Sequence, residues 1–135
     1  MTSKTKSVGY TTLKPVAVKT PRKTYRCDAQ DKILGRLATD ISHHLIGKTN
    51  VNFQSHVDNG DLVVVSNVGG MKLTGDKLNQ KLYYRHSARP GGLKINKLSD
   101  LWKKDPSDVL KRAVWRMLPK NKHRTARILR LKFTR

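Results

Sequence analysis

Leu62-Val63-Val64-Val65 is an uninterrupted apolar run, and three of its four residues are β-branched valines. The turn pair Asn59-Gly60 precedes the run, and Ser66-Asn67 ends it. Valine favours strands, and a strand without a polar face is typical of the centre of a sheet that is covered on both sides. The run therefore predicts the central strand of an α/β domain.

An amphipathic helix precedes this strand and follows a short first strand predicted at residues 25–28. Apolar residues recur at i, i+3, i+4, i+7 and i+11 and form one continuous helical face: Leu34, Leu37, Ala38, Ile41 and Leu45. Gly47 is the expected stop of the helix. Gly35, in the first turn, predicts close backbone packing at that point.

The rest of the chain predicts one more strand and three more helices. Residues 81–87 read as a strand that ends in the loop Pro90-Gly91-Gly92. A short helix is expected around residues 98–103, and a longer one opens with Asp105 as N-cap and Pro106 in its first turn. Residues 121–130 are expected to form a last helix. This order predicts an α/β fold with a small, mainly parallel sheet.

Length and composition limit the chain to one domain. Its 135 residues and 15.4 kDa suit a single core. No apolar run approaches the roughly 20 residues that a membrane-spanning helix needs, which excludes integral membrane proteins. The single cysteine, Cys27, cannot form an internal disulfide and is expected to be a buried structural thiol in a reducing compartment.

The net charge of +20 is concentrated at the two ends of the chain. Residues 1–26 carry seven basic side chains and residues 109–135 carry ten, and neither segment contains an acid. Such a distribution predicts a polyanionic partner, and nucleic acid is the commonest one. A membrane surface is the weaker alternative, because the N-terminal segment lacks an amphipathic apolar stripe.

We expect an extended basic arm over residues 1–23 and a single domain over residues 24–135, with a basic C-terminal segment. An organellar targeting role for the arm is the minor alternative.

Two stretches resemble chemical sites. Residues 70–77 look like a phosphate-binding loop, but Asp76 stands where the lysine should follow the second glycine. His56, Asp58 and Asp61 cluster within six residues, where a structural turn is the favoured interpretation, and RNA contact by His56 or metal-dependent catalysis are the alternatives. The chain contains no Glu, which removes much of the general acid–base repertoire. We expect no catalytic residue, metal or cofactor.

Residues 83–94 interleave aromatic, basic and glycine residues. This mixture suits Arg contacts to phosphates and stacking on bases. RNA contact is predicted for Arg85, His86 and Arg89, while one of Tyr83 and Tyr84 must face inward.

Six short motifs resemble, in the right order, those of the bacterial-type large-subunit ribosomal protein thirteen family. They cover residues 12–133 and read Asp28-Ala29 with Leu34-Gly35-Arg36-Leu37-Ala38-Thr39, His56-Val57-Asp58-Asn59-Gly60-Asp61, Thr74-Gly75-Asp76-Lys77, Tyr83-Tyr84-Arg85-His86-Ser87, Gly91-Gly92-Leu93-Lys94 and Met117-Leu118-Pro119. The chain departs from the family pattern in three ways. It has Arg116 where family members usually have Gly, its N-terminus is longer, and it lacks the usual His-rich tail.

The resemblance implies a small Rossmann-like, three-layer α/β/α domain without enzymatic activity. It implies a structural constituent of the large ribosomal subunit that binds 23S-type rRNA, touches neighbouring large-subunit proteins and supports assembly. The expected location is the ribosome of the cytoplasm, with an organellar ribosome as the minor alternative. The predicted RNA-binding residues are Lys14, Lys19, Arg22, Lys23, Arg36, Lys48, His56, Arg85, His86, Arg89, Lys94, Arg116, Lys120, Lys122, Arg124, Arg127 and Arg130.

Two other function classes remain open on the sequence alone. A nuclease would use His56, Asp58 and Asp61 with magnesium or manganese, and it would lose RNA cleavage on Asp58→Ala. A DNA-packaging protein would bind duplex DNA as well as RNA. For the leading hypothesis, binding is expected to depend steeply on salt, and removal of residues 1–23 is expected to flatten that dependence.

Overall fold

A computed structural model of the chain describes residues 22–134. The predicted arm, with Lys14 and Lys19, lies outside the described residues except for Arg22 and Lys23. The strands are β1 (Thr24–Asp28), β2 (Leu62–Ser66), β3 (Leu82–His86), β4 (Leu93–Lys97) and β5 (Leu131–Phe133). The helices are α1 (Leu34–Ile46), α2 (Lys77–Gln80), α3 (Leu98–Lys104), α4 (Pro106–Met117) and α5 (His123–Leu129).

The valine run forms the middle strand of a parallel sheet, as predicted. The sheet has the order β1-β2-β5, and Val63 pairs with both Tyr25 and Leu131. The side chains of Val63 and Val65 are fully buried against apolar residues of α1, α4 and α5. Each such buried side chain contributes roughly 1.5–3 kcal/mol of hydrophobic stabilisation. The described part of the chain is thus a mixed α/β fold with a mainly parallel main sheet.

The other face of the same sheet is less covered by the part of the chain that the structure describes. Leu62, Val64 and Ser66 on β2 are only half-buried, and Arg26 and Lys132 on the flanking strands are exposed. Helices therefore cover this sheet on one face within residues 22–134, although a parallel sheet is usually covered on both. The strand is central but not covered on both sides as expected, and a three-layer arrangement stays a prediction.

A separate antiparallel hairpin projects from this core. β3, which was predicted, pairs with β4, which was not, and Tyr84 lies directly opposite Ile95. The predicted loop at Pro90-Gly91-Gly92 forms the turn. A second small cluster anchors the hairpin, because the buried Tyr83 packs with Leu98 and Val109 of α3 and α4.

The helix boundaries follow the local signals. The Asp105 carboxylate accepts a hydrogen bond from the Ser107 backbone N–H at 2.9 Å, which confirms the predicted cap of α4. α1 ends at Gly47, which has a φ of 87°. Gly35, however, has open space beyond its Cα, so the expected close packing there is wrong. Within residues 22–134, no helix has the length and apolarity to cross a membrane.

Candidate nucleic-acid interface

Consecutive side chains of β3 point to opposite faces of the hairpin. Tyr83 is 6% exposed, whereas Tyr84 is 63% exposed. Because side chains alternate along a strand, Arg85 shares the face of Tyr83, and so do the cross-strand residues Lys94 and Asn96. The expectation that one tyrosine faces inward is confirmed, and the inner face turns toward α4.

A cleft of about 570 Å³ lies between this hairpin face and α4. We call it the α4 cleft; its lining includes Tyr83, Asp108, Lys111, Arg112, Trp115 and Arg116. Three cations and two aromatic rings therefore surround one concave surface. Arg116 was predicted to bind RNA, but Lys111 and Arg112 were not chosen. The i, i+4 spacing of Arg112 and Arg116 on one helix is the signal that would have found the pair.

Arg112 and Arg116 of the α4 cleft are held in place by aromatic and ionic contacts. The guanidinium carbons of Arg112 and Arg116 each lie 5.5 Å from the centre of the Tyr83 ring, and Lys81 Nζ lies 5.7 Å from it. These are cation–π distances. The Asp108 carboxylate accepts a hydrogen bond from Arg112 Nε at 2.8 Å. Burial raises the pKa of the Tyr83 phenol, so the ring that supports the cations stays uncharged at neutral pH.

A like-charge pair extends this surface along the hairpin. Arg85 and Lys94 lie directly opposite each other across β3 and β4, and both are exposed. Like charges at directly opposed positions destabilise a sheet. A phosphate between them would remove the repulsion, so the pair favours an anionic ligand.

Arg124, which was predicted to bind RNA, makes structural contacts within the fold. Its guanidinium carbon lies 4.3 Å from the centre of the Trp115 ring. Both Nε and Nη2 donate to the Trp115 carbonyl oxygen, with the Nε contact at 2.8 Å. These contacts tie the start of α5 to the end of α4 and engage two of the three Arg124 nitrogens, and the RNA contact of Arg124 stays a prediction.

Arg127 and Arg130, which were also predicted to bind RNA, are internal. Arg127 is 1% exposed and Arg130 is 7% exposed. Arg127 Nε donates to Asp58 Oδ1 at 3.3 Å, and Arg130 Nη2 donates to the same oxygen at 2.8 Å. Arg130 Nη2 also donates to the Leu45 carbonyl at 2.9 Å. These contacts give both arginines a structural role, and their RNA contact stays a prediction.

The Asp58 carboxylate is held ionised by these arginines. Burial acts to raise its pKa, but the hydrogen bonds and positive charges of Arg130 and Arg127 outweigh burial and lower the pKa below its usual range. Arg22 lies 3.8 Å away and adds a third cation. The favoured interpretation of this segment as a structural turn is consistent with this buried ionic cluster.

The residues proposed for a nuclease do not converge. His56 is exposed, Asp58 is engaged by arginines, and Asp61 is buried beside His44, with Oδ2 3.6 Å from His44 Nδ1. The His44 ring in turn stacks on Tyr25, with the ring centres 3.7 Å apart. Across residues 22–134, no group of three or more His, Cys, Asp or Glu side chains is placed to hold a metal ion.

The remaining predicted residues that the structure describes are exposed. They are spread along the sequence: they lie before β1, on or after α1, in the loop before β2, on the hairpin and around the end of α4. They are Arg22, Lys23, Arg36, Lys48, His56, Arg85, His86, Arg89, Lys94, Arg116, Lys120 and Lys122. Cys27 is buried as expected, with Lys32 Nζ 3.3 Å from its sulfur.

Comparison with known proteins identifies the family. Residues 22–134 match the family model described as ribosomal protein L13. The chain is 46% identical over 116 residues to large ribosomal subunit protein uL13 of Chlorobium phaeobacteroides (strain BS1), which covers 86% of this chain and 77% of that protein. It is 51% identical over 105 residues to the uL13 protein of Lawsonia intracellularis (strain PHE/MN1-00), covering 78% of this chain and 73% of the relative.

A third relative extends the match over more of the chain. The uL13 protein of Nitratidesulfovibrio vulgaris (strain Hildenborough) is 46% identical over 124 residues, which is 92% of this chain and 86% of that protein. The match to the family model spans all five strands and all five helices described above. The resemblance inferred from the six motifs is confirmed, and the chain belongs to the ribosomal protein L13 family.

Proposed function

We propose that this chain holds 23S-type rRNA in the α4 cleft and along the adjoining face of the hairpin. The chain is a structural and non-enzymatic protein of the large ribosomal subunit. The α4 cleft is the observation that carries the proposal. Its cations are side chains that bind phosphates, and the Tyr83 ring holds two of them in place.

Arg116 is the principal phosphate ligand in this proposal. Within residues 22–134 it forms no salt bridge, whereas its neighbour Arg112 is bonded to Asp108. The Tyr83 ring holds both guanidinium groups before RNA arrives, which reduces the side-chain entropy lost on binding. A guanidinium fixed in this way can donate two parallel hydrogen bonds to one phosphate.

The exposed residues outside the cleft supply further contacts in this proposal. Arg85 and Lys94 share one phosphate on the hairpin, and Arg89 in the loop between β3 and β4 extends the contact, whereas His86, the last residue of β3, lies on the opposite face. The other exposed predicted residues, together with Lys14 and Lys19 of the arm, neutralise phosphates of neighbouring rRNA helices. Such a spread of contacts would bridge RNA segments that are remote in sequence and so support assembly. The proposed location is the cytoplasmic ribosome, with an organellar ribosome as the alternative.

Sedimentation with large ribosomal subunits tests this function. The tagged full chain is expressed in a bacterium, and its large subunits are purified in high salt. We expect the wild-type chain to remain in the subunit fraction. We expect the double variant Arg112→Gln, Arg116→Gln to be released at lower salt, whereas Lys103→Gln on α3 is retained like the wild type because Lys103 lies outside the cleft.

The outcomes separate the function from the site. Absence of the wild-type chain from the large subunits would refute the ribosomal function. Retention of the double variant at every salt concentration that retains the wild type would leave the function standing and refute the α4 cleft as its RNA site.

A further inference from the structure

The outer face of the hairpin is apolar and uncovered within the described residues. We call it the apolar hairpin face; it consists of Leu82, Tyr84, Leu93 and Ile95. Tyr84 is 63% exposed, Leu93 is 53% and Ile95 is 52%. It lies on the opposite side of the strands from Tyr83 and the α4 cleft, so RNA bound in the cleft leaves it free.

The register concentrates these side chains into one patch. Tyr84 lies directly opposite Ile95, Leu93 lies opposite His86, and Leu82 lies opposite Lys97. Directly opposed side chains on a hairpin face have Cβ atoms roughly 4.5–5.5 Å apart, and diagonal neighbours remain within reach of a large ring. The four apolar residues therefore form a continuous surface.

No other element of the described chain carries a comparable patch. The other large apolar side chains that are exposed are Val51, Leu78, Met117 and Leu129, and each of them lies on a different loop or helix. Single exposed apolar residues are normal on a protein surface, whereas a contiguous group marks an interaction site.

We propose that the apolar hairpin face docks onto an apolar surface of a neighbouring protein of the large ribosomal subunit. The inference rests on the proposed function, because it places the chain beside other large-subunit proteins. Beyond that function, it specifies which surface of this chain contacts the neighbouring protein and that the contact is apolar.

The chemistry of the face distinguishes a protein partner from RNA. Three of its four side chains are aliphatic, and an aliphatic group neither neutralises a phosphate nor bonds to a base edge. Covering it with RNA would desolvate the phosphates without compensation. The face across the strands, in contrast, presents Arg85 and Lys94.

Charge further defines the partner. His86 and Lys97 lie at opposite ends of the apolar hairpin face, and no acidic residue occurs between residues 82 and 97. A partner with apolar side chains bordered by acidic ones complements this surface. A second copy of this chain does not, because each copy carries a net charge of +20.

Site-specific photo-cross-linking inside assembled subunits tests the inference. p-Benzoylphenylalanine replaces Tyr84 in the tagged full chain, large subunits are purified and irradiated, and the products are separated into protein and RNA adducts. Position 85 is the matched control, because it is adjacent in sequence but on the opposite face. We expect position 84 to yield an adduct with a large-subunit protein and position 85 to yield an adduct with rRNA.

A second variant examines the face itself. Ile95→Asp, combined with the probe at position 84, is expected to lower the protein adduct by at least about tenfold, because it buries a carboxylate in the apolar contact. Leu129→Asp makes a similar change at an exposed apolar residue on α5 and is expected to leave the adduct unchanged. Circular dichroism checks that both variants are folded.

Every result of the cross-linking bears on the proposal. An rRNA adduct at position 84, or no adduct although the chain sediments with the subunits, overturns it while the proposed function stands. An unchanged adduct in Ile95→Asp also overturns it. If the chain does not sediment with the subunits, the proposed function fails and this inference fails with it.

Discussion

Asp58 and Arg130 lie 72 residues apart in the sequence, yet their side chains form a two-point ion pair, with oxygen–nitrogen distances of 2.5 and 2.8 Å. Arg127 donates to the same carboxylate, and Arg130 also donates to the carbonyl oxygen of Leu45. One carboxylate thus joins the loop before β2 to α5 and, through Arg130, to the end of α1. The cluster stabilises the fold.

Asp58→Ala is expected to destabilise the protein strongly. The substitution leaves the guanidinium groups of Arg127 and Arg130 buried without their counter-ion, and breaking a buried ion pair in this way costs roughly 3–5 kcal/mol. Urea unfolding followed by circular dichroism measures the loss. Asp40→Ala, at an exposed position on α1, is the control and is expected to change the free energy of unfolding little. Equal stability of the two variants would contradict the role assigned to Asp58.

The same ion cluster predicts a dependence of stability on pH. Because the folded-state pKa of Asp58 lies below that of an unfolded aspartate, about 3.9, its contribution is complete above that pKa and is lost as pH falls through the lower folded-state value. We expect the difference in free energy of unfolding between the wild type and Asp58→Ala to be constant near neutral pH and to shrink below about pH 4. Urea titrations at a series of pH values measure it. A difference that grows on acidification would show that the pKa shift has the opposite sign.

RNA binding is expected to lose a fixed part of its salt dependence when Arg116 is neutralised. A phosphate contact contributes about 0.7–0.9 to the slope of log K against log salt concentration. Arg116→Gln is therefore expected to flatten the slope by about that amount, in filter binding or fluorescence titrations with a large-subunit rRNA fragment. Lys103→Gln serves as the charge-matched control. If both variants keep the wild-type slope, Arg116 makes no phosphate contact.

Gly60→Ala is expected to destabilise the fold, although Gly60 lies in a loop. A Cβ atom at this position would lie 1.9 Å from the Leu45 carbonyl oxygen and 2.6 Å from its carbon, so the backbone must move. Overpacking of this kind costs about 1–3 kcal/mol. Gly69→Ala is the matched control, because nothing lies within 4 Å of its added Cβ. Thermal unfolding compares the two variants, and equal melting temperatures would contradict the predicted clash.

Regular patterns in the sequence predicted the elements of the core. The spacing of Leu34 to Leu45 predicted α1, the valine run predicted β2 and the Asp105-Pro106 pair predicted the start of α4, and all three are confirmed. β4 and β5 were missed for a physical reason. β4 alternates apolar with polar residues but is exposed at every position, and β5 has only three residues, so its pairing with β2 is fixed by the tertiary fold.

The candidate site was less predictable because sequence does not show which charges pair. Arg116, which was predicted to bind RNA, lines the α4 cleft, but Arg127 and Arg130 looked equally available in an acid-free segment. Their partner, Asp58, is brought to them only by folding. The role of Tyr83 as a support for two arginines likewise depends on the contact between the hairpin and α4, which no local pattern specifies.

Because Tyr83 and Tyr84 point to opposite faces of the hairpin, the number of residues in β3 decides which face each later side chain takes. Inserting or deleting a single residue within β3 would rotate every later side chain of the strand through half a turn. Arg85 would then take the outward position, and an aliphatic or aromatic group would enter the cationic cleft. Inserting or deleting two residues keeps each later side chain on its own face. Length changes by an odd number of residues would therefore damage both surfaces at once, whereas changes by an even number would only move the side chains along the strand.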